Sequence, residues 1–270
     1  MAAAPPTLVL IGAGRMGAAL VRGWLKGKSK RRIAVIEPRP SEEISAWAAG
    51  GRIILNPPPA PASILVLAVK PQQFAGIAET ARGFVSSKTL AVSIMAGVRI
   101  TQLSRRLETS RVIRAMPNTP GSIGQGVTVF SAAPGLAAAD LDAATALLAP
   151  LGDVHGPVDE SLMSAVTALS GSGPAYLFLL AETMAQAGES EGLPRALAQR
   201  LARRTLEGAA ALMAASADDP ESLRRAVTSP GGTTQAALDI LMDTGGMPRL
   251  LRDALRAAAA RDRQLSKEAD

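Results

Sequence analysis

Three glycines, Gly12, Gly14 and Gly17, stand between the apolar run Leu8–Ile11 and a segment that reads as a helix. Their spacing is the G-x-G-x-x-G pattern, which in a strand–turn–helix setting holds the pyrophosphate of a dinucleotide. Gly12 permits the tight turn, Gly14 lets backbone approach the phosphates, and Gly17 lets the helix pack close to the strand. Unpaired N–H groups and a partial positive charge at the helix start then hold an anion without any cationic side chain. Ala13, Arg15 and Met16 complete the turn.

The choice of nucleotide falls to two residues of opposite charge. Glu37 stands about 20 residues past Gly17, where an acidic side chain accepts hydrogen bonds from the adenosine ribose hydroxyls of NAD and repels a 2'-phosphate. Arg39 acts the other way, because a guanidinium pairs with that phosphate. Two solvated loop charges would look the same, so the cofactor stays open between NADH and NADPH, with NADH expected to serve at least comparably well.

A second glycine turn occurs late in the chain, in Val227–Thr234, VTSPGGTT, again ahead of a helix. Amides of Gly231, Gly232 and Thr233 are placed to cradle a small carboxylate, with hydroxyls from Ser229, Thr233 and Thr234 beside them. A capped turn between two helices is the competing account, since Ser and Thr are common caps.

These residues need a scaffold, and the composition bounds it. The 270 residues are 47% hydrophobic and 19% charged, enough for two globular domains. No stretch approaches the roughly 18 consecutive apolar residues of a membrane span. The start, MAAAPPT, lacks the basic and apolar segments of a signal peptide, so a cytoplasmic location is expected. Without cysteine and with one histidine, disulfides and thiolate chemistry are out and a metal site is not expected. The net charge of +6 does not indicate nucleic-acid binding, because the arginines are scattered and aromatics are 3%. The one basic cluster, residues 26–32, falls where a helix ends, a place that favours cations. His155, in GDVHGPVD, has no neighbouring motif to orient it as a general base.

Strands are expected at 7–11, 32–36, 52–55, 64–69, 89–94, 111–115 and 126–131, with helices at 15–25, 41–49, 72–82 and 136–148. The prolines of 57–61 make a rigid connector. Beyond Pro157 the strand signal stops and helices are expected at 158–169, 174–188, 194–215, 219–227, 232–243 and 247–266. Alternating strands and helices followed by helices alone predict an α/β Rossmann-type domain over 1–155 and an all-α domain over 156–270. Pro174 suits the first turn of its helix, with Ser172 as its cap. The segment AYLFLLAETMAQA that follows is apolar on most of its circumference. Such a helix needs burial on several sides, from its own bundle or from a second copy of the chain.

Taken together, IGAGRMG, LAVKPQ, IMAGV, RAMPNTP, LSGSGPAY and VTSPGGTT occur in the order and spacing of the pyrroline-5-carboxylate reductase family, which the chain resembles nearly end to end. The resemblance implies a Rossmann-type domain followed by an all-α C-terminal dimerisation domain, a homodimer that assembles further, up to a decamer, and an active site between the cofactor domain and the helical domains of a dimer. It implies that Gly12 to Gly17 hold the pyrophosphate and that Asn56 lies near the adenosine. It places Ala68, Val69, Lys70, Ala96 and Asn118 along the nicotinamide. Ser229, Gly231, Gly232, Thr233 and Thr234 would hold the substrate carboxylate, with the Thr234 hydroxyl near the ring nitrogen. Glu37 departs from the small or polar residue common there in a family that favours NADPH.

The reaction so implied is hydride transfer from NADPH or NADH to the imine carbon of 1-pyrroline-5-carboxylate, giving L-proline, the last step of proline biosynthesis. A protonated imine is already electrophilic, so scarcity of histidine is no obstacle. Positioning can supply as much as ~7–11 kcal/mol of the barrier, and Thr234 is expected to orient the substrate rather than act as a general acid. A reductase of a hydroxy acid or a deazaflavin shares the first domain, and a nicotinamide-sensing protein would keep the first glycine turn, but a sensor has no need of SPGGTT. Nucleic acid and membrane are not expected partners.

Overall fold

The computed structural model describes residues 7–27 and 31–268, so the expectations for residues 1–6 and for the middle of the basic cluster at 28–30 lie outside the described residues. β1 (Thr7–Ile11) is buried after its first residue and pairs in parallel with β2 (Arg32–Ile36) on one side and β4 (Ile64–Leu67) on the other. β3 (Ile54–Leu55) extends the edge beyond β2, shorter than expected. β5 (Leu90–Ser93) and β6 (Val112–Met116) continue in parallel on the far side of β4. The sheet order is β3-β2-β1-β4-β5-β6, then β7 (Gly126–Ala132) and β8 (Gly152–His155).

β7 runs antiparallel to β6. The connection between them is too short for the crossover that a parallel neighbour requires. β8 was not foreseen: GDVHGPVD reads as a loop, yet Gly152–His155 pairs in parallel with Gly126–Val129. His155 sits exposed on this edge strand.

Side chains alternate across the sheet into two cores. On one face Leu8, Leu10, Val35, Val66 and Val92 pack against α1 (Arg15–Lys26), α2 (Glu42–Ala49) and α5 (Ala138–Leu148). The indole of Trp24 on α1 donates to the Leu147 carbonyl at 2.8 Å, tying α1 to α5. On the other face Val9, Ile11, Leu65, Leu67 and Ala91 pack against α3 (Phe74–Arg82) and α4 (Ile100–Leu107). Helix α4 was missed, although Ile100, Leu103 and Leu107 carry the i, i+3, i+7 spacing of a buried face. Each fully buried aliphatic side chain in these cores contributes about 1.5–3 kcal/mol.

The helical run after β8 comprises α6 (Met163–Val166), a π turn at Thr167–Gly171, α7 (Gly173–Ser190), α8 (Arg195–Ala215), α9 (Pro220–Ala226), α10 (Thr233–Leu241) and α11 (Met247–Glu268). Pro174 falls in the first turn of α7, where its missing N–H costs nothing. The Ser172 N–H bonds back to Thr167, so α7 follows directly from the π turn.

The chain divides into one unit of residues up to Ser172 together with 258–270, and a second of 173–257. This differs from the expected boundary at 155. Residues 158–172 and the end of α11 join the sheet unit through polar bonds, one part-buried and one buried. Glu160 accepts the Ile100 N–H at 2.8 Å, and Gln102 donates to the Ser266 carbonyl at 2.8 Å. In the second unit α7 and α8 pack through small residues, with Ala185, Ala198 and Ala202 buried between them.

The apolar circumference of α7 is largely uncovered in the single chain, with Leu177, Phe178 and Leu179 at 58%, 70% and 58% exposure. Helical residues 160–190 reach a mean hydropathy of 1.3 over an 18-residue window, which by length and composition alone is enough to cross a membrane, a measure that the core helix of a soluble protein also meets.

Candidate active site

The glycine turn leaves the carboxyl end of β1 at the point where the chain order of the sheet reverses, between β1 and β4. Ligands of open α/β sheets bind in that crevice. Gly12 adopts φ +93°, and a Cβ there would lie 2.8 Å from the Ala68 carbonyl and from the Val69 side chain. A Cβ on Gly17 would run into the Gly12 carbonyl oxygen. Both positions therefore require glycine. Gly14, in contrast, faces open space within 4 Å and no side chain caps the helix it begins. Two positions that must lack a Cβ, beside one with room in front of it, fit a phosphate group approaching the backbone.

Two amides of this turn are already engaged, that of Gly12 by the Ile36 carbonyl at 3.0 Å and that of Ala13 by Glu37. The Ala13 N–H donates to Glu37 Oε2 at 2.9 Å, so the donors left for phosphate are those of Gly14, Arg15 and Met16. The second carboxylate oxygen, Oε1, accepts the Arg39 N–H at 3.1 Å. Asn56, in the left-handed region at φ 48°, clamps the backbone of Glu37 from both sides: it accepts the Glu37 N–H at 2.8 Å and donates to the Glu37 carbonyl at 3.0 Å. A cleft of about 510 Å³ opens here, lined by Ala13, Gly14, Arg15, Glu37 and Arg39 together with Arg22, Glu43 and Ser122, which sequence reasoning did not single out. Arg22 and Glu43 form a bidentate pair at 2.9 and 2.6 Å that holds α1 to α2, and this pairing raises the pKa of Arg22.

Ala68, Val69 and Lys70 follow the end of β4, Ala96 the end of β5, and Asn118 the end of β6, three adjacent strands whose carboxyl ends share one edge of the sheet. Ala68 and Val69 abut Gly12, and Lys70 is exposed. The loop holding Ala96 turns at Gly97, φ +70°, where an added Cβ would come within 3.3 Å of Leu265 on α11. Asn118 Oδ1 accepts the Val127 N–H at 3.0 Å, bracing the start of β7, and its side-chain Nδ2 donates to the Ser170 hydroxyl of the π turn at 3.4 Å. Ser170 falls within LSGSGPAY, but its approach to Asn118 depends on the π turn that presents it, a conformation no local pattern announces.

The late glycine turn stands in the second unit. Gly231 adopts φ +69° and opens onto free space, and Gly232 is the N-cap of α10 without any side-chain cap. The Gly232 N–H, expected among the anion-binding amides, instead closes the turn by donating to the Ser229 carbonyl at 3.0 Å. Donors remain on the first turn of α10, where Thr233 is exposed and Thr234 half-buried. Among the described residues no group of three or more His, Cys, Asp or Glu is arranged to hold a metal.

Comparison with known proteins gives two family models along the chain. One, described as an NADP oxidoreductase, coenzyme F420-dependent, matches residues 7–97, and one described as pyrroline-5-carboxylate reductase dimerisation matches residues 160–265. A pyrroline-5-carboxylate reductase of Pseudomonas aeruginosa is 38% identical over 97% of this chain and 98% of its own. Among solved structures, a pyrroline-5-carboxylate reductase from Coxiella burnetii superposes with a TM-score of 0.87 at 30% identity, covering 97% of this chain and 99% of its own. The Plasmodium falciparum pyrroline carboxylate reductase with NADP bound superposes at 0.79 and 25% identity, covering 97% and 98%.

Proposed function

The chain belongs to the pyrroline-5-carboxylate reductase family, and from that premise we propose how its residues divide the work of reducing the C=N bond of 1-pyrroline-5-carboxylate to L-proline with NADH or NADPH. Bound reduced nicotinamide supplies the hydride that the imine carbon accepts. Gly14, Arg15 and Met16 offer backbone donors to the pyrophosphate, and the closeness of Gly12 to Ala68 and Val69 supports a dinucleotide lying across the ends of β1 and β4. Glu37, Arg39 and Asn56 take the adenosine end. Ala68, Val69, Lys70, Ala96 and Asn118 border the nicotinamide end.

The substrate carboxylate goes to the start of α10, with Thr233 and Thr234 supplying N–H and hydroxyl groups and Ser229 its hydroxyl. In this account Gly231 allows the turn and Gly232 closes it. Thr234 is the catalytic residue in the sense that its hydroxyl touches the ring nitrogen and fixes the ring's orientation. The observation that carries this role is the uncapped start of α10 behind a glycine at φ +69°, an anion site for which a mere nucleotide binder has no use.

The protein is a homo-oligomer. Residues 156–270 form its dimerisation and substrate part in this account, and the uncovered apolar face of α7 is what a second copy buries. Assembly of the dimers into a decamer, with no membrane and a cytoplasmic location, completes it. The test is direct: purified protein with pyrroline-5-carboxylate oxidises NADH or NADPH and yields proline, and failure with both nucleotides refutes the assignment.

A further inference from the structure

Resting on the reductase reading above, we infer that Glu37 makes this chain select NADH over NADPH, and that Asn56 is the positioning residue that holds Glu37 to that task. A dinucleotide on the Gly12–Gly17 turn brings its adenosine ribose to the end of β2, where Glu37 stands. The carboxylate is fixed there. One oxygen is bound by the Ala13 N–H at 2.9 Å and the other by the Arg39 N–H at 3.1 Å, while Asn56 grips the Glu37 backbone at 2.8 and 3.0 Å.

A carboxylate has about four acceptor positions, so two remain beyond those N–H bonds for the 2'- and 3'-hydroxyls of NADH. The 2'-phosphate of NADPH removes one of those donors. It also sets a phosphate carrying close to two negative charges beside a carboxylate that cannot swing away without leaving the Ala13 amide. The cations around the cleft do not reverse this. Arg22 is already bidentate to Glu43. Arg15 and Arg39 are exposed on long stems, where solvent and salt screen their attraction.

The experiment titrates the purified oligomer with NADH and with NADPH in the absence of imino acid, following nicotinamide fluorescence, and repeats the steady-state assay with both. Wild type is expected to bind NADH at least tenfold more tightly than NADPH. Glu37→Gln and Glu37→Ser are expected to tighten NADPH binding at least tenfold and to weaken NADH binding several-fold. Asn56→Ala is expected to narrow the NADH to NADPH ratio in Kd and in KM several-fold, a change in selectivity that a merely structural loss, weakening both nucleotides alike, would not produce.

Wild type binding NADPH as tightly as NADH, or a ratio unmoved in both Glu37 variants, overturns the role of Glu37. A fall in kcat with an unmoved ratio overturns the role of Asn56. A protein that prefers NADH yet leaves pyrroline-5-carboxylate unreduced upholds the selection by Glu37 and refutes the reductase assignment instead.

Discussion

The guanidinium of Arg114, in the middle of β6, lies 3.7 Å from the carboxylate of Asp262 on α11, and both side chains are at or below 5% exposure. Glu160 approaches the same guanidinium at 3.4 Å, and Ser164 donates to Asp262 at 2.8 Å. Three stretches far apart in sequence thus meet on one buried cation, two residues before the end of the strand that leads to Asn118. Removing one member of a buried charge pair leaves the other uncompensated, at a cost of about 3–5 kcal/mol. Asp262→Ala should therefore lower the urea unfolding free energy by that order at fixed protein concentration, and Asp262→Asn by less. An unchanged midpoint for Asp262→Ala would mean the contact contributes nothing.

The glycines of the nucleotide turn should respond unequally. Gly12→Ala introduces a Cβ where φ is +93° and Ala68 is 2.8 Å away, so it should lower the nucleotide-free thermal midpoint and abolish measurable nucleotide binding. Gly14→Ala meets no neighbour, so its midpoint should stay near wild type while nucleotide affinity falls about tenfold or more, because only the room for phosphate is filled. Equal nucleotide affinity in Gly14→Ala and wild type would move the phosphate elsewhere.

Thr234→Ala should reduce kcat/KM for the imino acid by about 10- to 100-fold, equivalent to ~1.4–2.7 kcal/mol of transition-state stabilisation, with the Kd for nucleotide unchanged. Thr234→Ser should recover most of the loss, since it restores the hydroxyl. An alanine variant as active as wild type would strip Thr234 of its orienting role.

Phe178→Asp and Leu177→Asp place charge on the exposed apolar face of α7. If a second copy covers that face, sedimentation should show each variant shifting toward the monomer, because an unpaired buried charge opposes association. Wild-type mass in both variants would place the interface on another face.

Much of the architecture was legible because its signals are local. The three-glycine turn, the buried runs of β1, β4 and β5, and the Ser41 cap of α2 each follow from a few neighbouring residues. Helix α4 carries such a signal in the spacing of Ile100, Leu103 and Leu107. β8 carried none: Gly152–His155 becomes a strand because β7 offers it an edge, which is a tertiary circumstance.

By itself the sequence determined where the nucleotide turn lies, the change from alternating strands and helices to helices alone, and the run of six motifs that marks the family. Those properties depend on backbone freedom and hydrophobic period, which act over a few residues. Only the tertiary structure decided that Glu37 rests on the Ala13 amide under the grip of Asn56. It alone revealed that the Gly232 amide is taken by its own turn, and that the end of α11 returns to the sheet through Asp262 and Ser266. Polar side chains find partners by proximity in space, and nothing in the identity of an Asp or an Asn records which distant amide will reach it.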